Sequence, residues 1–307
     1  MSAYDRNQTP QRTLLTVVKA VFLIVVLIAA WTVIRSDVNE LTRLLTGADP
    51  GLLALAMAFA ALNIILTACS WRMLIADHQS GPGWIASARI FFPGQLGKYL
   101  PGSFWSFLAS AELAKAEGMD RSLAIATMLV ATMIGFGSGF FIAIPTLYSH
   151  GQKVGVAWAP LMSITIVAAL FLWEPVRQRV MRVANIGFTV SFWSVFGSIL
   201  LALIAWMAAG THLVFIASAL GADPGGLSIL QGAGIYALAW CAGFLVFIAP
   251  AGFGAREGTM IVLLTLILPS SQALAIALLS RAGMTASDFL LGGAFLFNRP
   301  QTAVQGE

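Results

Sequence analysis

Charged residues are scarce in this sequence: Asp, Glu, Lys and Arg make up 10% of its 307 residues, whereas 59% are hydrophobic. Soluble domains are about 45–50% apolar and about 25% charged, so this composition excludes an ordinary water-soluble enzyme or binding domain. Mean hydropathy is +0.86, and apolar runs of about 18 residues or more recur along the chain. The sequence therefore predicts an all-α polytopic membrane protein.

Cysteine and histidine are also rare, with two and three copies respectively. Cys69 and Cys241 lie in separate apolar runs without CxxC spacing, which excludes a disulfide framework and gives no support to redox chemistry. The histidines have no metal-ligand spacing, and Walker A, GxSxG and HExxH motifs are missing. We expect no cofactor, no metal and no enzymatic or ATP-driven step carried out by this chain alone.

The basic residues form no run or stripe, although the net charge is +4. This scatter argues against binding nucleic acid. Loops enriched in Lys and Arg on the cytoplasmic side, in contact with anionic lipids, explain the excess better. Membrane lipids are therefore the expected partners, and the oligomeric state is left open.

Six apolar stretches near the length of about 20 residues needed to cross a bilayer predict full transmembrane helices. Residues 13–297 then form one transmembrane domain between the tails 1–12 and 298–307, both predicted to be cytoplasmic from the Lys and Arg bias of the loops. The first stretch is too long for a signal-peptide core of about 7–15 residues. The six spans are 13–34, 51–75, 122–148, 156–173, 189–219 and 272–297.

Two further apolar regions, 84–116 and 228–268, are each too long for one crossing and hold a Pro/Gly cluster near the middle. Pro lacks a backbone N–H and Gly tolerates sharp reversals, so both regions are predicted to be broken helical hairpins, either re-entrant or fully spanning. Such backbone persists at membrane depth only where protein or a water-filled cavity satisfies its polar groups. The predicted break residues are Pro93, Gly94, Gly97, Pro101, Gly102, Pro250, Gly252, Gly254 and Gly258.

The order of spans suggests an internal repeat. Residues 13–148 and 156–297 would each contain two crossings, a hairpin and one crossing. Because three crossings are an odd number, the second half would be inverted, as in many transporters. The first hairpin would then enter from the cytoplasm and the second from outside.

Each cluster also holds a basic residue, Lys98 in the first and Arg256 in the second. An ionisable group in the hydrocarbon costs about 2.5–3.5 kcal/mol on insertion scales, which marks a functional site unless the group snorkels or pairs. Beside exposed N–H groups and a half-helix N-terminus, a cation suits an anion such as phosphate. The alternatives are that Lys98 snorkels along Tyr99 to an interface and that Arg256 pairs with Glu257.

Arg281 and Asp288 lie seven residues apart in the last span and so share one helical face. They could pair through a third group, or each could face a hairpin. Arg281 is a candidate for the polar cavity, whereas structural pairing explains Asp288 better. The predicted binding residues for a lipid phosphate and head group are Lys98, Arg256, Arg281, Tyr99 and Glu257.

Other polar residues have simpler explanations. Asn63, Thr67 and Ser70 share a face of the second span and are expected to hydrogen-bond to neighbouring helices. A metal-dependent sugar-phosphate transferase could use Glu112, Glu117 and Asp120, but a solvated charged turn is the favoured interpretation.

Residues 97–105 (GKYLPGSFW) and 250–258 (PAGFGAREG) resemble the two signature segments of flippase-like membrane proteins related to the transmembrane region of lysylphosphatidylglycerol synthase. Those segments read roughly G-K-x-x-P-G with a following aromatic residue, and P-G-G-x-G-x-R-E-G. The resemblance extends over about 13–297. Arg281 matches an arginine in the last helix, and Ala251 replaces the first glycine of the second segment.

The resemblance implies translocation of a lipid with a bulky polar head group across the bacterial plasma membrane. The cargo could be an aminoacyl phospholipid, a polyprenyl-phosphate-linked sugar or a related glycolipid. Since the sequence continues only about ten residues beyond its last span, we expect no aminoacyl-transferase domain and no lysyl transfer. The alternative is a non-transporting scaffold for a membrane glycosyltransferase.

Overall fold

The computed structural model describes residues 38–76, 78, 81–100, 104–149, 190–222, 226–246 and 250–297. The tails and the predicted spans 13–34 and 156–173 lie outside these ranges. The α-helices of the described residues are α1 Val38–Thr46, α2 Pro50–Ile75, α3 Trp84–Gln95, α4 Trp105–Ala116, α5 Arg121–Ser149, α6 Phe192–Ala219, α7 Ile229–Leu245, α8 Ala255–Leu264 and α9 Ser270–Phe297.

Four of these helices, α2, α5, α6 and α9, are long and apolar enough to cross a membrane. Their lengths of 26 to 29 residues exceed the roughly 20 that a crossing needs. Leu55, Phe141, Trp193 and Leu290 remain exposed on these helices, as contact with lipid requires. The chain is an all-α polytopic membrane protein. The four helices coincide with the predicted spans 51–75, 122–148, 189–219 and 272–297.

Local signals explain where several helices begin. Asp49 precedes α2, and its carboxylate accepts hydrogen bonds from the Gly51 and Leu52 N–H groups at 2.7 and 3.1 Å. Ser228 and Gln231 form a reciprocal capping box at the start of α7. These side chains satisfy N–H groups that have no partner within the helix.

The antiparallel helices α2 and α6 form the closest pair, joined by hydrogen bonds at membrane depth. Asn63 Nδ2 donates to the Ala205 carbonyl at 2.8 Å, and Ser70 Oγ donates to the Ser198 carbonyl at 2.8 Å. This confirms the packing role expected for Asn63 and Ser70, whereas the Thr67 hydroxyl donates to the Asn63 carbonyl of its own helix at 2.8 Å. The ring of His212 on α6 lies buried between the Ala56 carbonyl of α2 and the Ser280 hydroxyl of α9, so it joins three helices.

Two interrupted helical pairs flank this centre. In the first, α3 packs against α4 through the 3-10 turn Leu96–Tyr99, and in the second, α7 packs against α8 through the 3-10 turn Pro250–Gly252. They match the predicted hairpins 84–116 and 228–268. We call them the first and second hairpin.

The hairpins belong to different apolar cores at opposite ends of the long helices. The first core, which includes Ile90 and Ala124, joins the first hairpin to the C-terminal half of α2 and the N-terminal halves of α5 and α6. The second core, which includes Leu213 and Leu264, joins the second hairpin to the N-terminal half of α2 and the C-terminal half of α6. The hairpins therefore enter the bundle from opposite ends, whereas the internal repeat stays a prediction.

Three predicted break residues are instead helical. Pro93 and Gly94 lie in the last turn of α3, and Gly258 lies in the first turn of α8. Gly94 is needed for packing, because a Cβ at this position would overlap Ser110 on α4. The chain reversal begins only at Leu96, although Pro93 removes one hydrogen bond to the preceding turn of α3. Nothing in the structure explains a glycine at Gly258.

A short helix, α1, lies where only an extracellular loop was expected. Leu41 is buried against the second core, and Glu40 forms an exposed ion pair with Arg43 at 2.9 Å. The nine residues are too few and too polar to register as an apolar span.

Ala251 has a left-handed backbone, with φ of 51° and ψ of 23°. A left-handed conformation costs a non-glycine residue about 1–2 kcal/mol, while glycine adds about 0.4–1 kcal/mol of unfolded-chain entropy. Ala251→Gly should therefore raise stability slightly, by up to about 1 kcal/mol. Thermal unfolding in detergent measures this as a higher apparent Tm. Ala255→Gly, at the first residue of α8, is the control and should not raise Tm; a fall of Tm in both variants would contradict the strain at Ala251.

The opposite entry of the hairpins predicts opposite accessibility of their open ends. Lys115 near the end of α4 and Ser270 at the start of α9 are exposed positions at the two ends. In sealed vesicles of one orientation, an impermeant maleimide should label Lys115→Cys and Ser270→Cys from different sides. The parent chain, whose Cys69 and Cys241 lie within helices, controls for background. Labelling of both variants from one side would refute this arrangement.

Candidate functional site

The tips of the two hairpins meet between the two apolar cores. The turn Leu96–Tyr99 contacts the turn Pro250–Gly252, and the first of these turns also packs on α9. Close approach depends on small residues. A Cβ at Gly97 would lie 2.7 Å from the Trp105 backbone, and one at Gly252 would lie 2.7 Å from the Gly243 backbone. Gly252 and Gly254 also have positive φ angles of 70° and 84°, which glycine adopts without strain.

The first tip is held to α9 by an ion pair. Lys98 Nζ lies 2.6 Å from Asp288 Oδ2, and the Tyr99 hydroxyl donates to the same oxygen at 2.7 Å. Asp288 is 4% exposed, whereas the Lys98 side chain is 24% exposed. A buried carboxylate is stable as an ion only when it is paired and hydrogen-bonded. Asp288 therefore positions both residues of the turn.

The second tip is also held to α9 by an ion pair, but here the cation lies on α9 and the carboxylate lies on the hairpin. Arg281 Nε lies 3.0 Å from Glu257 Oε1, and Arg281 Nη2 donates to the Ala251 carbonyl at 3.1 Å. The other Glu257 oxygen accepts a hydrogen bond from the Gly254 N–H at 2.7 Å, which caps α8. Arg281 and Glu257 together fix the chain on both sides of the break.

Arg256 differs from the other two cations of the site. Its side chain packs over Gly243, and its guanidinium lies 6.0 Å from the centre of the Trp240 ring, within cation–π range. Among the described residues no carboxylate lies within ion-pair distance of Arg256, and its Nε has no hydrogen-bond partner. Arg256 thus carries the uncompensated positive charge of the site.

A cavity of about 200 Å³ opens beside the two tips. Arg256, Arg281, Lys98 and Asp288 contribute to its charged wall. Aromatic rings form an apolar part of the cavity wall. Trp206 packs against Trp240 there, with 5.6 Å between the ring centroids. The other lining residues with polar groups include Asn63, Thr67, Ser70, Gln95, Ser106, Thr132 and Tyr236.

The charges around the cavity do not cancel. Lys98, Arg256 and Arg281 face Asp288 and Glu257, which leaves one net positive charge. In a medium of low dielectric constant such an excess attracts an anion strongly. The arrangement suits a singly charged phosphodiester, since Arg offers several donors to a phosphate, and the aromatic wall suits an apolar or ring-bearing head group.

The structure brings together all five predicted binding residues, but in unequal positions. Lys98, Arg256 and Arg281 line the cavity, whereas Tyr99 and Glu257 hold the hairpin tips. The alternative pairing of Arg256 with Glu257 is wrong, because Glu257 pairs with Arg281 instead. Two predicted break residues, Pro101 and Gly102, lie outside the described residues.

Sequence reasoning missed several residues of the site. Tyr236, Trp240 and Gln95 line the cavity but stand in apolar runs without a recognisable motif. The rarity of tyrosine, with four copies in the chain, was the only available signal for Tyr236. Asp288 was assigned to structural pairing and not to the cavity, yet it faces the first hairpin and lines the cavity. Its partner is Lys98, which lies 190 positions away in sequence.

Two of the three loop carboxylates considered for a transferase, Glu112 and Glu117, are engaged in ion pairs. Glu112 pairs with Arg121, and Glu117 lies 4.0 Å from Arg89. Among the described residues no group of three or more His, Cys, Asp or Glu side chains is arranged to hold a metal. These contacts are those of a charged turn.

A family model described as "Lysylphosphatidylglycerol synthase TM region" matches residues 18–292, nearly the whole chain. No curated protein matches the sequence significantly.

The ion pair at the first tip predicts strong coupling between two variants. Asp288→Leu leaves Lys98 without its partner, and Lys98→Met leaves Asp288 without its own. Breaking a buried pair costs about 3–5 kcal/mol; the loss in Asp288→Leu should be smaller because Lys98 is partly exposed. Lys98→Met combined with Asp288→Leu should recover most of the lost Tm, since neither charge remains. Additive effects in this double-mutant cycle would show that the pair does not hold the tip.

Proposed function

We propose that this chain, which belongs to the lysylphosphatidylglycerol synthase TM-region family, translocates a lipid with a phosphate-bearing polar head group across its membrane. The candidate lipids are an aminoacyl phospholipid, a polyprenyl-phosphate-linked sugar and a related glycolipid. The membrane is proposed to be the bacterial plasma membrane, with both termini cytoplasmic. The proposal assigns no chemical reaction to the chain.

The observation that carries the proposal is the position of Arg256. This cation lines a cavity where two interrupted helices meet, and no carboxylate among the described residues neutralises it. Keeping a charge at this depth without a partner is costly. A protein that only scaffolds an enzyme would gain nothing from that cost, whereas an anion carrier needs an unpaired cation.

The size of the cavity favours a head group over a whole lipid. Its volume of about 200 Å³ is below the range of about 300–1,000 Å³ that encloses drug-sized ligands. The head group would lie beside Arg256 and the aromatic wall, while the acyl chains stay in the bilayer. The meeting of hairpins from opposite ends of the helices supports access to this site from either face of the membrane.

Transport by purified protein in proteoliposomes tests the role of Arg256. The probe is phosphatidylglycerol with a fluorescent tail, and chemical quenching from outside measures the fraction moved between leaflets. Arg256→Ala removes a charge-assisted hydrogen bond of about 1.5–3 kcal/mol, so transport should fall about tenfold to hundredfold. Arg256→Lys keeps the charge but loses the planar guanidinium. Its transport rate should lie between those of the parent chain and Arg256→Ala.

Arg43→Ala is the matched control, because Arg43 is 77% exposed in α1 and its ion-pair partner among the described residues is Glu40, three positions earlier. Its transport rate should equal that of the parent chain. All variants should elute as the parent does in size-exclusion chromatography. Parent-like transport by a well-folded Arg256→Ala protein would refute this anion site, and binding of the lipid without transport by the parent chain would favour the scaffold.

A further inference from the structure

Asp288 is a buried acid. In the proposed transport step it holds Lys98 and has no other role. It is 4% exposed and lines the cavity. Its Oδ2 receives both Lys98 and Tyr99, whereas its Oδ1 is buried and has no hydrogen-bond partner among the described residues. One oxygen is thus fully engaged, and the other is free to take a proton.

The groups that face Asp288 set what can happen to its charge. Lys98 and Tyr99 reach it from the first tip, and Arg281 lies two turns away on α9 itself. From α2 and α3 the cavity receives no charged side chain, and Asn63 and Gln95 are among the polar ones. Tyr236 of α7 and Arg256 of α8 also line it, Glu257 of α8 binds Arg281, and His212 of α6 is occupied by Ala56 and Ser280. The other titratable side chains of helices that pack on α9 do not line the cavity: Glu40, Arg43, Cys69, Arg72 and Arg89.

Lys98 is the one direct counter-ion of Asp288 within the described residues. It is also a cavity-lining cation, and Arg256 lies close enough to repel it. A lipid phosphate in the cavity therefore competes with Asp288 for the Lys98 ammonium group. If Lys98 turns to the phosphate, the carboxylate loses its partner but stays buried, where an unpaired charge is far less stable than the neutral acid.

We infer that Asp288 is a proton-binding site and that the chain moves one proton together with each lipid phosphate. This inference rests on the proposed function. In the empty site Lys98 is bound to ionised Asp288. When the phosphodiester binds, the ammonium group moves to the phosphate oxygens and Asp288 takes one proton from water in the cavity. Release of the lipid on the other side returns the proton to water and Lys98 to Asp288.

A phosphodiester alone would neutralise the excess positive charge of the cavity, so the reason for the coupling is the partner that buried Asp288 loses when Lys98 turns to the phosphate. Without lipid, three cations face two carboxylates and leave one net positive charge. A singly charged phosphodiester adds one negative charge and the proton adds one positive charge, so the net charge of the buried site does not change. Binding the lipid without the proton would leave Asp288 ionised and unpaired. A proton gradient could then drive transport of the lipid.

Proton uptake on lipid binding is directly measurable. The full-length protein in detergent and weak buffer is titrated with dihexanoyl phosphatidylglycerol, with calorimetry to follow binding and a pH dye to follow protons. We expect about one proton taken up per lipid bound, and by linkage an affinity that weakens about tenfold for each pH unit of increase. Because the proton is bound with the lipid, a higher pH always opposes binding.

Asp288→Asn separates the proton from the lipid. The amide keeps an acceptor for the Tyr99 hydroxyl but cannot take up a proton, so lipid should still bind, without proton uptake and with affinity independent of pH. Glu112→Gln is the control, since this exposed carboxylate lies outside the cavity, and it should keep the uptake of the parent chain. In proteoliposomes an imposed pH gradient should accelerate transport by the parent chain and leave Asp288→Asn unaffected.

The outcomes distinguish this inference from the proposal beneath it. Binding by the parent chain without proton uptake, or with an affinity that does not change between pH 6 and pH 8, would overturn the proton site and leave lipid transport standing. Undiminished uptake in Asp288→Asn would assign the proton to another group and equally overturn it. Failure of the parent chain to bind the lipid at all would overturn the phosphate site and the proton coupling together. The parent measurements decide the matter even if Asp288→Asn does not fold.

Discussion

Two ion pairs on one face of α9 hold both interrupted hairpins at the centre of the molecule. Asp288 binds Lys98 of the first tip, and Arg281 binds Glu257 of the second, on positions seven residues apart. Two helical turns span about 10.5 Å, which sets the separation of the tips. The remaining features of the site depend on this spacing, because without the two pairs the broken backbone would have no fixed place at membrane depth.

The pairs also explain why so much polarity is tolerated in an apolar bundle. Each broken segment leaves backbone groups that lipid cannot satisfy. Arg281 binds the Ala251 carbonyl and Glu257 binds the Gly254 N–H, so the same side chains that neutralise each other also satisfy the break. Arg256 is left over from this arrangement, and its charge faces the cavity. The cation that remains without an ion pair, Arg256, is therefore the one that can bind an anion in the cavity.

Much of the architecture was predictable because hydropathy and Pro/Gly content act locally. The long helices α2, α5, α6 and α9 follow from apolar length alone, and the hairpins follow from apolar regions interrupted near the middle. Local signals were less reliable within the breaks. Pro93 and Gly94 indicated a turn but belong to α3, because packing of Gly94 against Ser110 requires a helix there. The helix α1 was missed since its nine residues depend on burial of Leu41.

The sequence by itself determined the membrane class, the hairpin regions and the identity of the three cavity cations, since each depends on composition or on a single residue that is expensive to bury. Only the tertiary structure decided which charges pair. Arg256 is adjacent to Glu257 in the chain, yet successive residues on a helix point in different directions, and Glu257 binds Arg281 on another helix. Which charges pair at membrane depth depends on the distances between helices in space, and these distances do not follow from the spacing of the residues in the sequence.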